Sequence, residues 1–157
     1  MIKKTKLIYD FKEHSLYYEN RTGNIPMFSL MLDTLELQYG LQKGELLSAS
    51  GFLPLVQAIR DNISIGTYKE GHICLKGMEK GQYQENFVYN IFEKMPETKE
   101  YFENKPIQYD PTKNIILLGT RENDRDSLVK VNAHILCGLD SESNIKCIYI
   151  FPDETRI

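Results

Sequence analysis

The side chains best suited to acid–base or metal chemistry in this chain are its three histidines, His14, His72 and His134. Zinc sites usually pair histidines or cysteines at short local spacings, and no two of the three histidines are spaced in this way. His72 and Cys74 are two residues apart on an expected strand, but two ligands leave a metal shell incomplete. The ten glycines form neither a G-x-G-x-x-G motif nor a P-loop. We therefore expect no metal site and no cofactor.

An enzyme that needs no metal is the remaining catalytic possibility. In a metal-independent nuclease, His14, His72 and His134 would supply a general acid and a general base, and Lys76 or Lys130 would stabilise the phosphate. Such an enzyme needs a basic surface to hold nucleic acid, whereas 22 acidic against 19 basic residues give this chain a net charge of −3. We therefore expect a protein that is not an enzyme and does not bind nucleic acid, with this nuclease as the catalytic alternative.

Length and composition predict one globular domain over residues 1–157. Hydrophobic residues make up 41% of the chain and charged residues 26%, an average balance for a protein that folds around one core. The three cysteines form no Cys-x-x-Cys pair and are expected to be reduced core residues. The basic start at 1–6 is followed by Asp10 before a signal-peptide core can develop, and no apolar run approaches the roughly 20 residues that span a bilayer. These features predict a soluble, cytoplasmic protein without membrane contact.

Apolar spacing predicts strands first, then helices, then strands again. Alternating residues in 6–11 and 15–19 predict an N-terminal hairpin. Apolar residues at three- and four-residue steps predict three helices, and a proline followed by glutamates predicts a further helical turn. These helical segments are 28–39, 52–63, 83–95 and 97–103. No internal repeat or linker divides the chain.

The last third of the chain predicts strands at 114–119, 128–137 and 145–151. The last two are joined by the Gly/Asp/Ser/Asn-rich segment 138–144, which is the sequence form of a hairpin turn. The expected fold class is therefore α+β. It is a single domain with a mostly antiparallel sheet, made from the N-terminal hairpin and the C-terminal strands, and about three to four helices lie between them.

Acidic residues are grouped on segments that we expect to be exposed. Glutamates repeat at helical spacing in 97–103, three carboxylates alternate with arginines in the polar segment 120–127, and two more occupy the last turn. Such groups can be ordinary solvated surface. Gathered on one face, they would attract a basic protein and speed its association. The candidate partner-binding residues are these carboxylates and two neighbouring aromatics: Glu97, Glu100, Tyr101, Phe102, Glu103, Glu122, Asp124, Asp126, Asp140 and Glu142.

The stretch 131–152 reads Val-Asn-Ala-His-Ile-Leu-Cys-Gly-Leu-Asp-Ser-Glu-Ser-Asn-Ile-Lys-Cys-Ile-Tyr-Ile-Phe-Pro. It resembles the end of small bacterial immunity proteins, in which a strand, a Gly-Leu-Asp turn and an Ile-Lys-x-Ile-Tyr-Ile strand follow one another. These proteins are the cognate inhibitors of polymorphic toxins, including the toxins of contact-dependent growth inhibition systems. The chain is similar to that group in size, in acidic balance and in lacking a recognisable active site.

The resemblance implies a non-enzymatic inhibitor that binds the C-terminal domain of a secreted toxin, often a nuclease. A nuclease must be basic to hold its substrate, so acidic side chains of the inhibitor would take the place of phosphates. Tight binding would also need a few anchors. Tyr101, Phe102 and the neighbouring glutamates are the first candidates, followed by residues 121–126.

A small ligand-binding or regulatory α+β domain is the other alternative. Three arrangements would separate the hypotheses. A pocket lined by convergent polar groups would favour the ligand-binding domain. Histidines clustered around a basic cavity would favour the nuclease, and acidic residues gathered on one face would favour the inhibitor.

Overall fold

Two seven-stranded β-sheets account for most of the regular structure of this chain. The computed structural model describes residues 4–21, 23–79 and 81–157, so the first half of the basic start at 1–6 lies outside the described residues. The strands of the first half are β1 (Lys6–Asp10), β2 (Ser15–Glu19), β3 (Met27–Leu32), β4 (Leu35–Gly40), β5 (Leu46–Phe52), β6 (Ile59–Arg60) and β7 (Lys69–Glu70). The strands of the second half are β8 (Val88–Asn90), β9 (Gln108–Asp110), β10 (Ile115–Gly119), β11 (Ser127–Lys130), β12 (Ile135–Leu139), β13 (Ile145–Ile150) and β14 (Glu154–Arg156).

Among the described residues, helical structure is limited to one short region between β8 and β9. It consists of α1 (Ile91–Lys94), a 3₁₀ helix (Pro96–Thr98) and α2 (Lys99–Phe102). Asn90 caps α1 by accepting the N–H of Phe92 through its side-chain oxygen. In the described ranges, no helix has the length and apolarity needed to cross a membrane.

The two sheets have the same topology. The strand order of the first sheet is β14-β1-β2-β5-β4-β3-β8, and that of the second is β6-β9-β10-β13-β12-β11-β7. In each sheet the five central strands pair antiparallel, and a short parallel strand is added at either edge. The chain therefore contains an internal structural repeat, and the expectation that it has none is wrong.

The first hairpin of each half has the same turn chemistry. Asp10 Oδ1 accepts the N–H groups two and three residues further along the chain, and Asp110 Oδ1 does the same. Each turn ends in a residue with left-handed backbone, His14 at φ 53° and Asn114 at φ 58°. These matching positions are 100 residues apart. Tyr-Asp pairs at this separation are the sequence signal that could have revealed the repeat.

The two halves exchange their edge strands. β6 follows β5 of the first sheet but pairs with β9 of the second, and β14 follows β13 of the second sheet but pairs with β1 of the first. Each half thus completes the sheet of the other.

One hydrophobic core lies between the sheets, and a smaller one lies outside the second sheet. Alternate residues of both sheets, such as Leu7 and Tyr9 on β1 and Ile116 and Leu118 on β10, belong to the central core. On the outer side of the second sheet, residues 61–66, which we name the strap, cover an apolar surface. The strap residue Ile63 is fully buried there. Burial of a side chain of this size stabilises the fold by about 1.5–3 kcal/mol.

The predicted α+β class with one mostly antiparallel sheet and three to four helices is wrong, because the terminal hairpins lie in two different mixed sheets and most of the expected helices are strands or loops. The segment 28–39 forms the hairpin β3–β4. The apolar residues of this segment also fit helical spacing. Leu30 and Leu37, however, belong to an alternating pattern in which every second residue of each strand is apolar and buried. Asp33 has a left-handed backbone (φ 55°) and makes the tight turn between the two strands.

The helix predicted over 52–63 is absent, and the one over 83–95 is reduced to α1. Leu55 and Ile63 are buried, whereas Val56 and Ile59 are exposed, so the spacing of 52–63 does not mark one buried stripe. The helical turn over 97–103 and both terminal hairpins are confirmed. The expected strand 128–137 is divided into β11 and β12.

The cysteines are all reduced, and two of them are core residues as expected. Cys137 and Cys147 are buried on adjacent strands, but they contact opposite faces of the second sheet. The third, Cys74, is exposed rather than buried.

Replacing Asp110 should destabilise the protein more than replacing Asp10, because Asp110 Oδ2 also accepts the N–H of Ile63 from the strap. The N–H groups of Ile63 and Lys113 hold the pKa of Asp110 below its usual range. A carboxyl group with a lowered pKa contributes its full stabilisation above about pH 4, and loses it as the pH falls through the folded-state pKa. Urea unfolding of Asp110→Ala and Asp10→Ala at several pH values tests this. The larger deficit of Asp110→Ala should shrink below about pH 4, and equal deficits at neutral pH would contradict the role of the strap.

Candidate partner-binding surface

The chain segments that carry the predicted acidic residues meet beside β13. The Tyr101 hydroxyl on α2 donates to Asp140 Oδ2 at 2.7 Å. Lys146 Nζ on β13 lies 5.7 Å from the centre of the Tyr101 ring and 2.8 Å from Asp126 Oδ2. The helix, the polar segment and the last turn, which are separate in sequence, are therefore joined around two side chains, Tyr101 and Lys146.

Lys146 holds this arrangement together, and the sequence analysis did not select it. Its side chain is 11% exposed, and that of Asp126 is 5% exposed. A buried ammonium group needs a paired carboxylate, because removing a charge from water is costly. The signal that could have identified Lys146 is a single lysine inside a strand in which every residue is buried.

Asp140 organises the last turn. Burial disfavours its ionised form, but hydrogen bonds from the Tyr101 hydroxyl and from the N–H groups of Asn144 and Glu142 outweigh that effect and hold the pKa of Asp140 below its usual range. The hydrogen bond to Asp140, together with burial, raises the pKa of Tyr101 to about 12. At neutral pH the pair is therefore a carboxylate that accepts from a neutral phenol.

Glu122 is also engaged within the protein. Its Oε2 accepts the hydroxyl of Tyr149, and the thiol of Cys147 lies 3.7 Å away. Burial and the Glu122 carboxylate raise the pKa of Cys147 to about 12, so this thiol stays protonated. The segment 120–127 was expected to be fully exposed, but Glu122 is half-buried and the Asp126 side chain is almost fully buried because both hold structural partners.

Five of the predicted carboxylates remain exposed. We name this set the acidic rim; its members are Glu97, Glu100, Glu103, Asp124 and Glu142. The side chain of Glu103, just after α2, lies 3.5 Å from Lys99 Nζ, and the other four form no ion pair within the described residues. Tyr101 is half-buried, whereas Phe102 is 5% exposed and belongs to the central core. Phe102 is therefore a packing residue rather than the exposed anchor that we expected.

The histidines do not come together. His14 lies at the start of β2, with its ring 6.1 Å from that of Phe52. His134 is 2.6 Å from Asp153 and packs 5.8 Å from Tyr18, near the other end of β2. Four residues of extended strand separate the two positions by about 13 Å. His72 is an exposed residue outside both sheets. This arrangement gives the nuclease hypothesis no shared acid–base site.

Neither a metal site nor a built ligand site is evident in the described part of the chain. No group of three or more histidine, cysteine or acidic side chains there could hold a metal ion. An apolar pocket of about 170 Å³ lies between the β3–β4 turn and the segment after α2, below the roughly 300–1,000 Å³ of typical ligand sites. Its polar lining includes Thr34, whose hydroxyl already donates to the Phe52 carbonyl. A wider depression of about 670 Å³ lies beside Met78 and Tyr83, and most of the described residues that line it are exposed.

No protein-family model matches this chain, and no curated protein is significantly similar to it. A functional assignment must therefore be argued from the arrangement of its own residues.

Proposed function

We propose that this protein is an inhibitor of the immunity type, which binds the C-terminal domain of a cognate toxin in the cytoplasm and acts without catalysing a reaction. The observation that supports it is the meeting of three acidic segments at Tyr101 and Lys146. The histidines, by contrast, have no common site.

Two kinds of carboxylate have different roles in this proposal. Glu122, Asp126 and Asp140 bind partners inside the protein and fix the segments that carry them. The acidic rim is available to a basic surface. Because the rim is held on ordered elements, little conformational entropy would be lost when the partner binds. A nuclease toxin would meet carboxylates where it otherwise holds phosphates.

The test is a binding assay between the purified protein and the toxin-like domain encoded beside it. A one-to-one complex that abolishes the toxicity of that domain is expected. Neutralising part of the rim should lower the association rate at least tenfold at low salt, since electrostatic attraction acts mainly on the rate of encounter. The test variant is Glu97→Gln/Glu100→Gln/Glu142→Gln.

A matched control removes the same charge elsewhere. The control variant is Glu13→Gln/Asp33→Asn/Glu70→Gln, at exposed positions outside the rim. It should leave the association rate within about twofold of wild type. Equal effects of the two variants would contradict the role of the rim. Absence of any complex, together with nuclease activity that is lost in His134→Ala, would overturn the proposed function in favour of an enzyme.

A further inference from the structure

The four edges of the two sheets differ in how they are protected from pairing with another chain. An exposed edge presents free N–H and C=O groups, and proteins commonly protect such edges with charged side chains. β14 and β7 carry charged residues, and β6 carries Arg60. β8, with the sequence Val-Tyr-Asn, carries no charged residue.

The backbone of β8 is free on one side. The N–H of Ser29 on β3 donates to the carbonyl of Phe87 at 2.9 Å, and Leu30 is in register with Tyr89. Polar backbone groups of alternate residues point to opposite sides of a strand, so the N–H and C=O of Val88 point away from β3. Within the described residues no other strand adjoins β8. Val88 can therefore pair with a strand of another molecule.

Exposed apolar side chains accompany this edge. Phe87 is 52% exposed and Val88 is 51% exposed. The edge is also held firmly in place, since Tyr89 packs 5.2 Å from Tyr83, which stacks on the buried Phe28 at 4.2 Å. An ordered strand with exposed apolar residues fits β-strand addition, in which main-chain hydrogen bonds give affinity and side chains give specificity.

The charges at the two ends of β8 indicate what kind of strand would bind. Glu85 lies three residues before Val88, and Glu93 lies three residues after Asn90. Both are exposed, and neither forms an ion pair in the part of the chain that the structure describes. A complementary strand has an apolar or β-branched centre and a basic residue at each end.

We infer that β8 is a docking edge, to which the partner adds an extended strand with basic ends. This inference specifies how the toxin of the proposed function is held, and it rests on that function. The acidic rim begins at Glu97, seven residues after the end of β8 and within the 3₁₀ helix that follows α1, so the two contacts form one continuous stretch of chain.

The first experiment uses the peptide acetyl-Lys-Thr-Val-Thr-Val-Thr-Lys-amide as the probe and the ¹⁵N-labelled full chain. In NMR titrations the resonance of the Val88 amide should shift as peptide is added and reach a plateau at millimolar peptide. Exchange of this amide proton with solvent should slow at least tenfold. A peptide with N-methylvaline at both valines is the control, because it lacks the N–H groups needed for pairing. An unchanged Val88 amide, or equal effects of both peptides, would overturn the docking edge.

Two variants extend the test to the toxin-like domain. Val88→Pro removes an N–H that points away from β3 and also fixes the φ angle, whereas Val88→Thr keeps the N–H. The proline variant should bind the toxin domain at least 30-fold more weakly than the threonine variant, while both keep the wild-type NMR spectrum at the central strands. Equal binding of both variants would overturn the docking edge and leave the proposed function standing. Peptide pairing at Val88 without any toxin complex would support the edge and overturn the proposed function.

Discussion

Asp126→Ala should lower the free energy of unfolding by about 3–5 kcal/mol, because it leaves the Lys146 ammonium buried without its carboxylate. The two groups are 2.8 Å apart and almost fully buried. The Tyr101 ring beside Lys146 offers only a weak substitute for a full negative charge. The free energy is obtained from urea unfolding at neutral pH.

The double variant Asp126→Leu/Lys146→Met separates the cost of an unpaired charge from the loss of the pair. Replacing a buried ion pair with apolar residues of similar size is often nearly neutral. Asp126 also accepts the N–H of Asn123, and loss of this bond costs about 1 kcal/mol. The double variant should therefore be clearly more stable than Asp126→Ala. If the double variant is as unstable as Asp126→Ala, the unpaired charge of Lys146 is not the cause of the lost stability.

Gly119→Ala should be destabilising by about 2–6 kcal/mol, from backbone strain of about 1–3 kcal/mol and a steric clash of similar size. Gly119 has φ +88°, and a Cβ there would lie 2.6 Å from the Lys146 carbonyl oxygen and 2.7 Å from the Phe102 ring. Both neighbours are held in place, one in β13 and the other in the core. Space cannot be made by rotating a flexible side chain.

Gly23→Ala is the matched control for this prediction. Gly23 has nearly the same backbone, φ +90°, but among the described residues other than its chain neighbours no atom lies within 4 Å of the position of its Cβ. Its replacement should cost only the backbone strain, about 1–3 kcal/mol. Thermal and urea unfolding of the two variants give the difference. Equal losses would mean that the close approach of α2 to β10 does not constrain Gly119.

The terminal hairpins could be predicted from sequence because their local signals agree. In β12 and β13, apolar residues flank a turn whose Asp140 side chain accepts N–H groups from its own turn, so pattern and turn chemistry point to one structure. Between the hairpins the signals conflict. Residues 28–39 satisfy a period of two and of 3.6, and the choice is made by pairing with β5, which lies outside this segment.

The candidate site was predictable only in part. Acidic residues could be grouped from sequence because exposed segments are rich in charge, but their convergence depends on the packing of α2 against β13. Phe102 was misplaced because its neighbours are polar, while its own position on α2 faces the core. The edge at β8 could not be recognised, since Phe87 and Val88 fit the pattern of a helix.

The exchange of β6 and β14 also bears on the order in which the protein can fold during synthesis. Strand β1 acquires its outer neighbour only from residues 154–156. The second sheet, in turn, takes an edge strand from residues 59–60. Neither sheet can therefore form all of its hydrogen bonds until both halves of the chain have been translated. Contacts between such distant parts of a chain slow folding, so the nascent first half leaves the ribosome with β1 still able to accept a foreign strand.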